Sequence, residues 1–370
     1  MSARTTPLEA AHREAGAVFT DFGGWQMPLK YANDVAEHHA VRRAAGLFDL
    51  SHMGEVAVEG PQAAQFLDAA LVSRMSALAP GRAKYTLLVD EDGRVLDDLI
   101  TYRLAEDRFL VVPNAANTAT ALRELRARAE GFDVVVEDRT EATALVAVQG
   151  PAAEDVLLAA GCADAEAVRA LRYYACVPTE VAGVPALVAR TGYTGEDGFE
   201  LYTAPEHART VWDALLAAGE DRGVVPAGLA ARDSLRLEAG MPLYGHELGT
   251  GTTAAEAGLG RLVEAALRTK EGPFTGRTAL EAQAASAPAR VLVGLRGLGR
   301  RPVRAGNAVV SGDEQVGEVT SGVPSPTLGH PVAMALVRPE VSAPGTALEA
   351  DVRGRRAPVE VVELPFYRRG

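Results

Sequence analysis

The chain has 370 residues, 48% hydrophobic and 23% charged, with a formal net charge of −12. That length predicts two or three domains with sizeable cores, and the acidity argues against a general nucleic-acid binder. Cys162 and Cys176 form no CxxC pair, which argues against a disulfide framework or zinc knuckle; no run has the length of a signal-peptide core or a bilayer span, so a cytoplasmic protein free of membrane is expected.

In chain order, 54–59 alternates as a strand and 62–71 has helical spacing. Tyr85–Val89 and Val95–Leu104 flank Asp90-Glu91-Asp92-Gly93, a hairpin turn. A strand over 109–112 ends at Pro113-Asn114, and 115–130 reads as a helix. A strand over 144–148 stops at Gln149-Gly150-Pro151, and two further strands border the glycine-rich loop Thr191–Gly198. Helices follow over 205–218 and from Pro226 to Gly240, with Pro at the entry and Gly at the exit. A loose stretch, 270–288, reads as a linker. Beyond it, short strands over 290–295, 308–310, 315–320, 333–337 and 359–362 predict a small barrel or jelly-roll-like domain. With no βαβ rhythm, the class is α+β.

Asp97 and Asp98 stand side by side in an apolar strand. Neighbouring side chains in a strand point to opposite faces, so one carboxylate must face inward. An inward acid among Leu, Ile and Tyr needs a partner, a proton or a ligand. Alternation groups Asp98 with Ile100 and Tyr102, and Asp97 with Leu99 and Thr101, without deciding which is inward. The loop Thr191–Gly198 is not a dinucleotide fingerprint; it presents Tyr193 and Glu200 from the edges of a sheet. On the helix after Pro226, Arg232, Arg236 and Ala239 share a face, where an Arg could fork onto a carboxylate or heterocycle, or join a surface ion network. The histidines lack metal-ligand spacing, so no metal site is expected. From Arg290 onward, 11 arginines face eight acids with no lysine; this basic end fits an anionic partner or a solvated surface equally.

Several segments together, spread in order over almost the whole chain, resemble the glycine cleavage system T-protein, an aminomethyltransferase family. They are Phe22–Pro28, Phe48–Glu55, Leu96–Ile100, Thr191–Glu200, Gly228–Gly245 and Thr320–Gly329. The resemblance implies a three-domain cloverleaf around a central folate channel: 1–53 with 139–268 as a discontinuous first domain, 54–138 as the second, 269–289 as linker and 290–370 as a C-terminal β-barrel. It implies transfer of an aminomethyl group from the lipoyl arm of the H-protein to tetrahydrofolate. The products would be ammonia, 5,10-methylenetetrahydrofolate and dihydrolipoyl H-protein, with no metal, flavin or nicotinamide. Asp98 matches the family's catalytic aspartate, so the resemblance selects its face as the inward one where alternation could not. Met53, Tyr85, Ile100, Tyr102, Val112, Asn114, Tyr193, Glu200 and Arg232 match its folate contacts, and Arg304 its arginine at the channel mouth, where Arg300 and Arg301 could help steer an acidic carrier. Arg261 stands where the family usually has an aromatic. Another folate-dependent demethylase of the superfamily, acting on a small methylated amine or sulfonium, is the alternative. The related iron–sulfur maturation factor carries a Lys-Gly-Cys-Tyr motif, and the stretch after Lys270 has no cysteine.

Overall fold

The computed structural model describes residues 3–370. It is α+β, with antiparallel and mixed sheets and a closed C-terminal barrel. The chain forms two compact units: Met1–Leu67, Met75–Tyr85 and Leu99–Asp233 make the first; Asp68–Arg74, Thr86–Asp98 and Ser234–Gly370 the second. These limits cut across the expected domains, because 54–138 contributes to both units. Among the described residues, no helix is long and apolar enough to cross a membrane.

The first unit is built on a six-stranded sheet in the order Cys176–Val181, Val184–Ala189, Gly198–Thr203, Ala144–Gln149, Gly46–Asp49, Val225–Pro226. Its strands pair antiparallel except the last two. Val146, Val148, Phe199 and Leu201 pack with Trp212 and Leu215 of the helix Ala208–Gly219 and with Val156 and Leu157 of Ala153–Ala159. Beside it stands a small sheet of Arg4–Thr5, Trp25–Lys30 and Val18–Phe22.

A five-stranded sheet runs Arg82–Val89, Val95–Ala105, Arg108–Val112, Val56–Glu59, Val135–Asp138. The expected hairpin turn is present: Gly93 adopts φ 72°, and the Arg94 amide bonds the Asp90 carboxylate at 2.8 Å. In the second unit the barrel closes in the order Val291–Gly297, Pro331–Val337, Glu314–Pro324, Ala308–Ser311, Ala347–Asp351, Arg356–Val362. Its interior is mostly Val, Leu and Ala.

Three sequence expectations change. Pro226 does not open a helix: Val225–Pro226 pairs in parallel with Gly46–Leu47, and the helix spans Leu229–Glu238. Gly228 explains the delay. Its amide donates to Glu37 Oε2 at 2.9 Å, and a Cβ there would lie 2.4 Å from the Leu29 carbonyl oxygen. The linker is not loose throughout, because Arg277–Ala284 is a helix with Leu280 fully buried. The barrel also has a strand the sequence reading missed, Ala347–Asp351, where only Leu348 and Ala350 face the core.

Candidate functional site

The strand Val95–Ala105 shows the expected alternation. Val95, Asp97, Leu99 and Thr101 are sealed, whereas Leu96, Asp98 and Ile100 are half-covered and Tyr102 is fully buried. The fully inward acid of the pair is therefore Asp97 and not Asp98, which the resemblance puts inward. Asp98 lies on the opposite, half-covered face. In the second unit, the half-buried Tyr244 donates its hydroxyl to the Val95 carbonyl at 3.3 Å. Burial raises this phenol above its usual range, and the charges of Asp97 and then Asp98 add to the rise. Tyr244 is a neighbour of both acids that the sequence reading missed.

In the first unit, Glu200 lies within the strand Gly198–Thr203, an interior strand, so it is presented in mid-sheet and not at an edge. Its register partners on both sides are alanines, Ala147 and Ala189, which do not crowd the carboxyl group. Thr191 Oγ1 donates to Glu200 Oε2 at 2.5 Å, and the Tyr102 hydroxyl lies 3.4 Å from the same oxygen and 3.0 Å from Thr191 Oγ1. The Tyr202 hydroxyl donates to that of Tyr102 at 3.3 Å, with the two rings edge-on, 5.6 Å between centroids. Burial raises the Glu200 carboxyl above its ordinary value; the Thr191 bond, the Arg232 charge and the Tyr102 bond oppose the rise without cancelling it.

The half-buried Arg232 holds its guanidinium carbon 4.8 Å from the Tyr193 ring centroid. Burial lowers its pKa, while Tyr193 and Glu200 pull the other way. Ile100 and Val112 are register partners on neighbouring strands. Met53, Tyr85 and Asn114 are half-buried residues of the same unit.

The glycine-rich loop is held by Gln149, whose Nε2 donates to the Thr191 carbonyl at 3.0 Å and whose Oε1 accepts from Thr194 Oγ1 at 3.1 Å. A Cβ at Gly192 or Gly198 would overlap that side chain. Arg42 bonds the Thr194 carbonyl and Glu196 at 2.7 and 2.8 Å, and Arg190 pairs with Asp197. The acids of the loop thus frame it, leaving Tyr193 as the group it presents.

Arg304 is exposed in the second unit, with Nη1 donating to the Gly322 carbonyl at 2.7 Å. Arg236, which shares a helix with Arg232, is no surface group: it is 1% exposed and pairs with a fully buried Glu247 at 2.9 Å. Among the described residues, no group of three or more His, Cys, Asp or Glu side chains could hold a metal ion.

A buried relay that sequence spacing could not show lies in the first unit. The Tyr31 hydroxyl meets His12 Nδ1 at 2.9 Å, and His12 Nε2 meets Asp49 Oδ2 at 2.8 Å. Burial alone would raise Asp49, but the bond and charge of His12, with bonds from Thr6 and the Ser51 amide, hold it below its usual value. Burial, together with the Arg232 charge, pushes the nearby His52 imidazole down to about 4, with Asp49 opposing. Because the folded Asp49 pKa is depressed, its contribution is fully present above the unfolded value of about 3.9 and is lost as the pH falls through the folded one. Asp49→Asn is therefore expected to flatten the stability-versus-pH curve on the acid side below about pH 4. An unchanged acid limb in denaturant titrations would refute this.

Comparison with known proteins gives a consistent pattern. Residues 8–266 match the GCVT N-terminal domain, and residues 290–368 the glycine cleavage T-protein C-terminal barrel domain. The chain is 57% identical to an aminomethyltransferase of Streptomyces coelicolor, covering 99% of this chain and 98% of that protein. It is 46% identical to an aminomethyltransferase of Geobacillus kaustophilus, covering 99% of each. The crystal structure of glycine cleavage system aminomethyltransferase T from Bartonella henselae superposes with a TM-score of 0.92 at 39% identity, over 99% of this chain and 98% of that one.

Proposed function

We infer, for a chain that belongs to the glycine cleavage T-protein family and is an aminomethyltransferase of the glycine cleavage system, that it takes tetrahydrofolate as acceptor and a lipoylated H-protein as donor. The observation that carries the folate reading is the buried Glu200 beside Tyr102, Thr191 and Arg232. A pterin presents N–H donors along one edge, and a carboxylate in a largely apolar wall accepts them. Arg232 and Tyr193 supply a cation and a ring face, and Ile100, Tyr102 and Val112 supply walls for a planar ring. The donor set fits the group. Bound tetrahydrofolate would supply the nitrogen that takes the one-carbon unit.

Asp98 is proposed as the catalytic group. Positive charge develops on the aminomethyl unit as it leaves sulfur, and an anionic carboxylate on a half-open strand face stabilises it without being sealed from substrate. The test is incubation with aminomethyl-lipoyl H-protein and tetrahydrofolate, following ammonia and methylenetetrahydrofolate. Turnover is expected; none, beside rapid demethylation of a free methylated amine or sulfonium, would favour the folate-dependent demethylase reading.

Arg304, with the exposed Arg300 and Arg301, is proposed to steer the acidic carrier. Arg304→Ala is expected to slow H-protein association a few-fold at low salt and to shrink the salt dependence of that rate. An association rate insensitive to both salt and Arg304 would remove the role.

A further inference from the structure

The helix Asp34–Arg43 carries two charged side chains, Glu37 and Arg42, that the proposed reaction does not use. Each ends on backbone that leads to one of the folate contacts named above. The helix itself is fixed. At its start the Asn33 side chain accepts from the Val35 and Ala36 amides at 2.9 and 3.1 Å. Its far end lies close against the six-stranded sheet: a Cβ at Gly46 would stand 2.5 Å from Val41 Cγ2, and one at Gly150 would stand 2.4 Å from the Ala44 carbonyl oxygen. Packing this close leaves the helix no room to slide.

Glu37 is 4% exposed, and its two oxygens take two amides: Oε1 accepts from Tyr31 at 2.8 Å and Oε2 from Gly228 at 2.9 Å. The Gly228 carbonyl in turn accepts from the Arg232 amide at 3.1 Å, in the opening turn of the helix Leu229–Glu238. The amides at a helix start lack partners within the helix, and a carboxylate there satisfies one and fixes where the helix begins. Arg42 holds the other side. Its Nη1 donates to the Thr194 carbonyl at 2.7 Å and to Glu196 at 2.8 Å, with both side chains of that ion pair 5% exposed. Thr194 directly follows Tyr193. Where the two held segments meet, the Arg232 guanidinium carbon lies 4.8 Å from the centre of the Tyr193 ring.

We propose that Glu37 and Arg42 are positioning residues for the Arg232–Tyr193 pair: the helix between them is a brace that sets the cation and the ring at the spacing folate requires before folate arrives. The residue types suit this task. Only a carboxylate offers two acceptor oxygens to two amides, and one guanidinium nitrogen carries the two N–H bonds that bridge a carbonyl and a carboxylate. A cation over a ring is too soft a contact to fix two separate segments by itself. Anchors buried on one rigid helix do so, and a site held in its bound geometry binds more tightly because less order is lost on binding.

The inference rests on the reading of Arg232 and Tyr193 as folate contacts. The experiment measures tetrahydrofolate affinity, kcat, KM for tetrahydrofolate and thermal unfolding in the full-length chain. The variants are Glu37→Gln, Arg42→Lys, Arg232→Met, Tyr193→Leu, and the pairs Glu37→Gln with Arg232→Met and Arg42→Lys with Tyr193→Leu. A glutamine can accept from only one of the two amides, and a lysine puts a point charge in place of the planar fork. Each anchor variant is expected to weaken folate binding about tenfold, within the range of couplings between neighbouring groups, and to raise KM while kcat at saturation stays near wild type. In the paired variants that further loss should vanish, because the group being positioned is already gone, while the lowered unfolding temperature remains. An anchor change that weakens binding by the same factor with and without its pocket residue, or not at all, overturns the proposal. If Glu37→Gln does not fold, the cycle of Arg42→Lys with Tyr193→Leu decides. Undiminished binding by both Arg232→Met and Tyr193→Leu would overturn the pocket reading itself, whatever the anchor variants do.

Discussion

Asp98→Asn is expected to lower kcat by about 10²–10³ while leaving the affinity for tetrahydrofolate and the unfolding temperature close to wild type. The size follows from what is removed. An amide has nearly the shape of the carboxylate and can still orient a neighbouring nitrogen, but it carries no charge. Only the developing positive charge on the transferred unit loses by the change, and that charge is absent from the ground state. Half-burial explains why stability is spared: the side chain at 98 is not sealed in a core. Asp97→Asn is the internal control. Asp97 is fully buried on the opposite face, so its replacement should act on stability more than on kcat. Single-turnover rates with preloaded H-protein separate the two outcomes. If Asp97→Asn removed catalysis and Asp98→Asn did not, the roles would have to be exchanged.

The largest stability effect is expected at Arg236. Its guanidinium donates to Glu247 at 2.9 Å, to Ser321 Oγ at 2.8 Å and to the Met241 carbonyl at 3.2 Å. Glu247 also accepts from the Leu243 amide at 3.0 Å and from Thr320 Oγ1 at 2.6 Å. Arg236→Ala leaves a fully buried carboxylate without its counter-charge, and breaking such a pair costs about 3–5 kcal/mol. The paired replacement Arg236→Met with Glu247→Leu removes both charges at similar volume and should recover most of that loss, since a buried ion pair contributes little over a well-packed apolar pair. Denaturant unfolding of the single and double variants measures this. A double variant as unstable as Arg236→Ala would show that the surrounding hydrogen bonds, and not the charges, hold this part of the unit.

Local patterns were legible where period and turn chemistry agreed. The hairpin around Gly93, the strand carrying both aspartates and most barrel strands are present as expected. Pro226 misled because proline suits both a helix entry and a strand end, and the choice was made by Gly228 packing against Leu29, which only the fold reveals. Ala347–Asp351 was faint because its buried face is only Leu348 and Ala350, and Ala347 beside them blurs the alternation in so short a strand. Within the site, alternation opposed Asp97 to Asp98 but could not say which was sealed. The link from Tyr102 to Glu200 spans 98 residues, and no spacing rule reaches that far. The pair Arg236–Glu247 was invisible for a related reason: its meaning lies in burial, and a charged letter in a sequence reads as surface.

Lys270 has a practical consequence. Its ammonium donates to the carbonyls of Leu71 and Val72 at 2.7 and 3.1 Å and sits 3.9 Å from the Phe274 ring centroid. The lysines of the chain are Lys30, Lys84 and Lys270. An amine with its protons committed and its surroundings closed is a poor nucleophile, so acylating reagents should leave Lys270 untouched until the second unit opens. Acetylation at that position, followed by mass spectrometry with Lys84 as the exposed reference, would then act as a chemical clock for local opening in a protein whose basic side chains are otherwise almost all arginine.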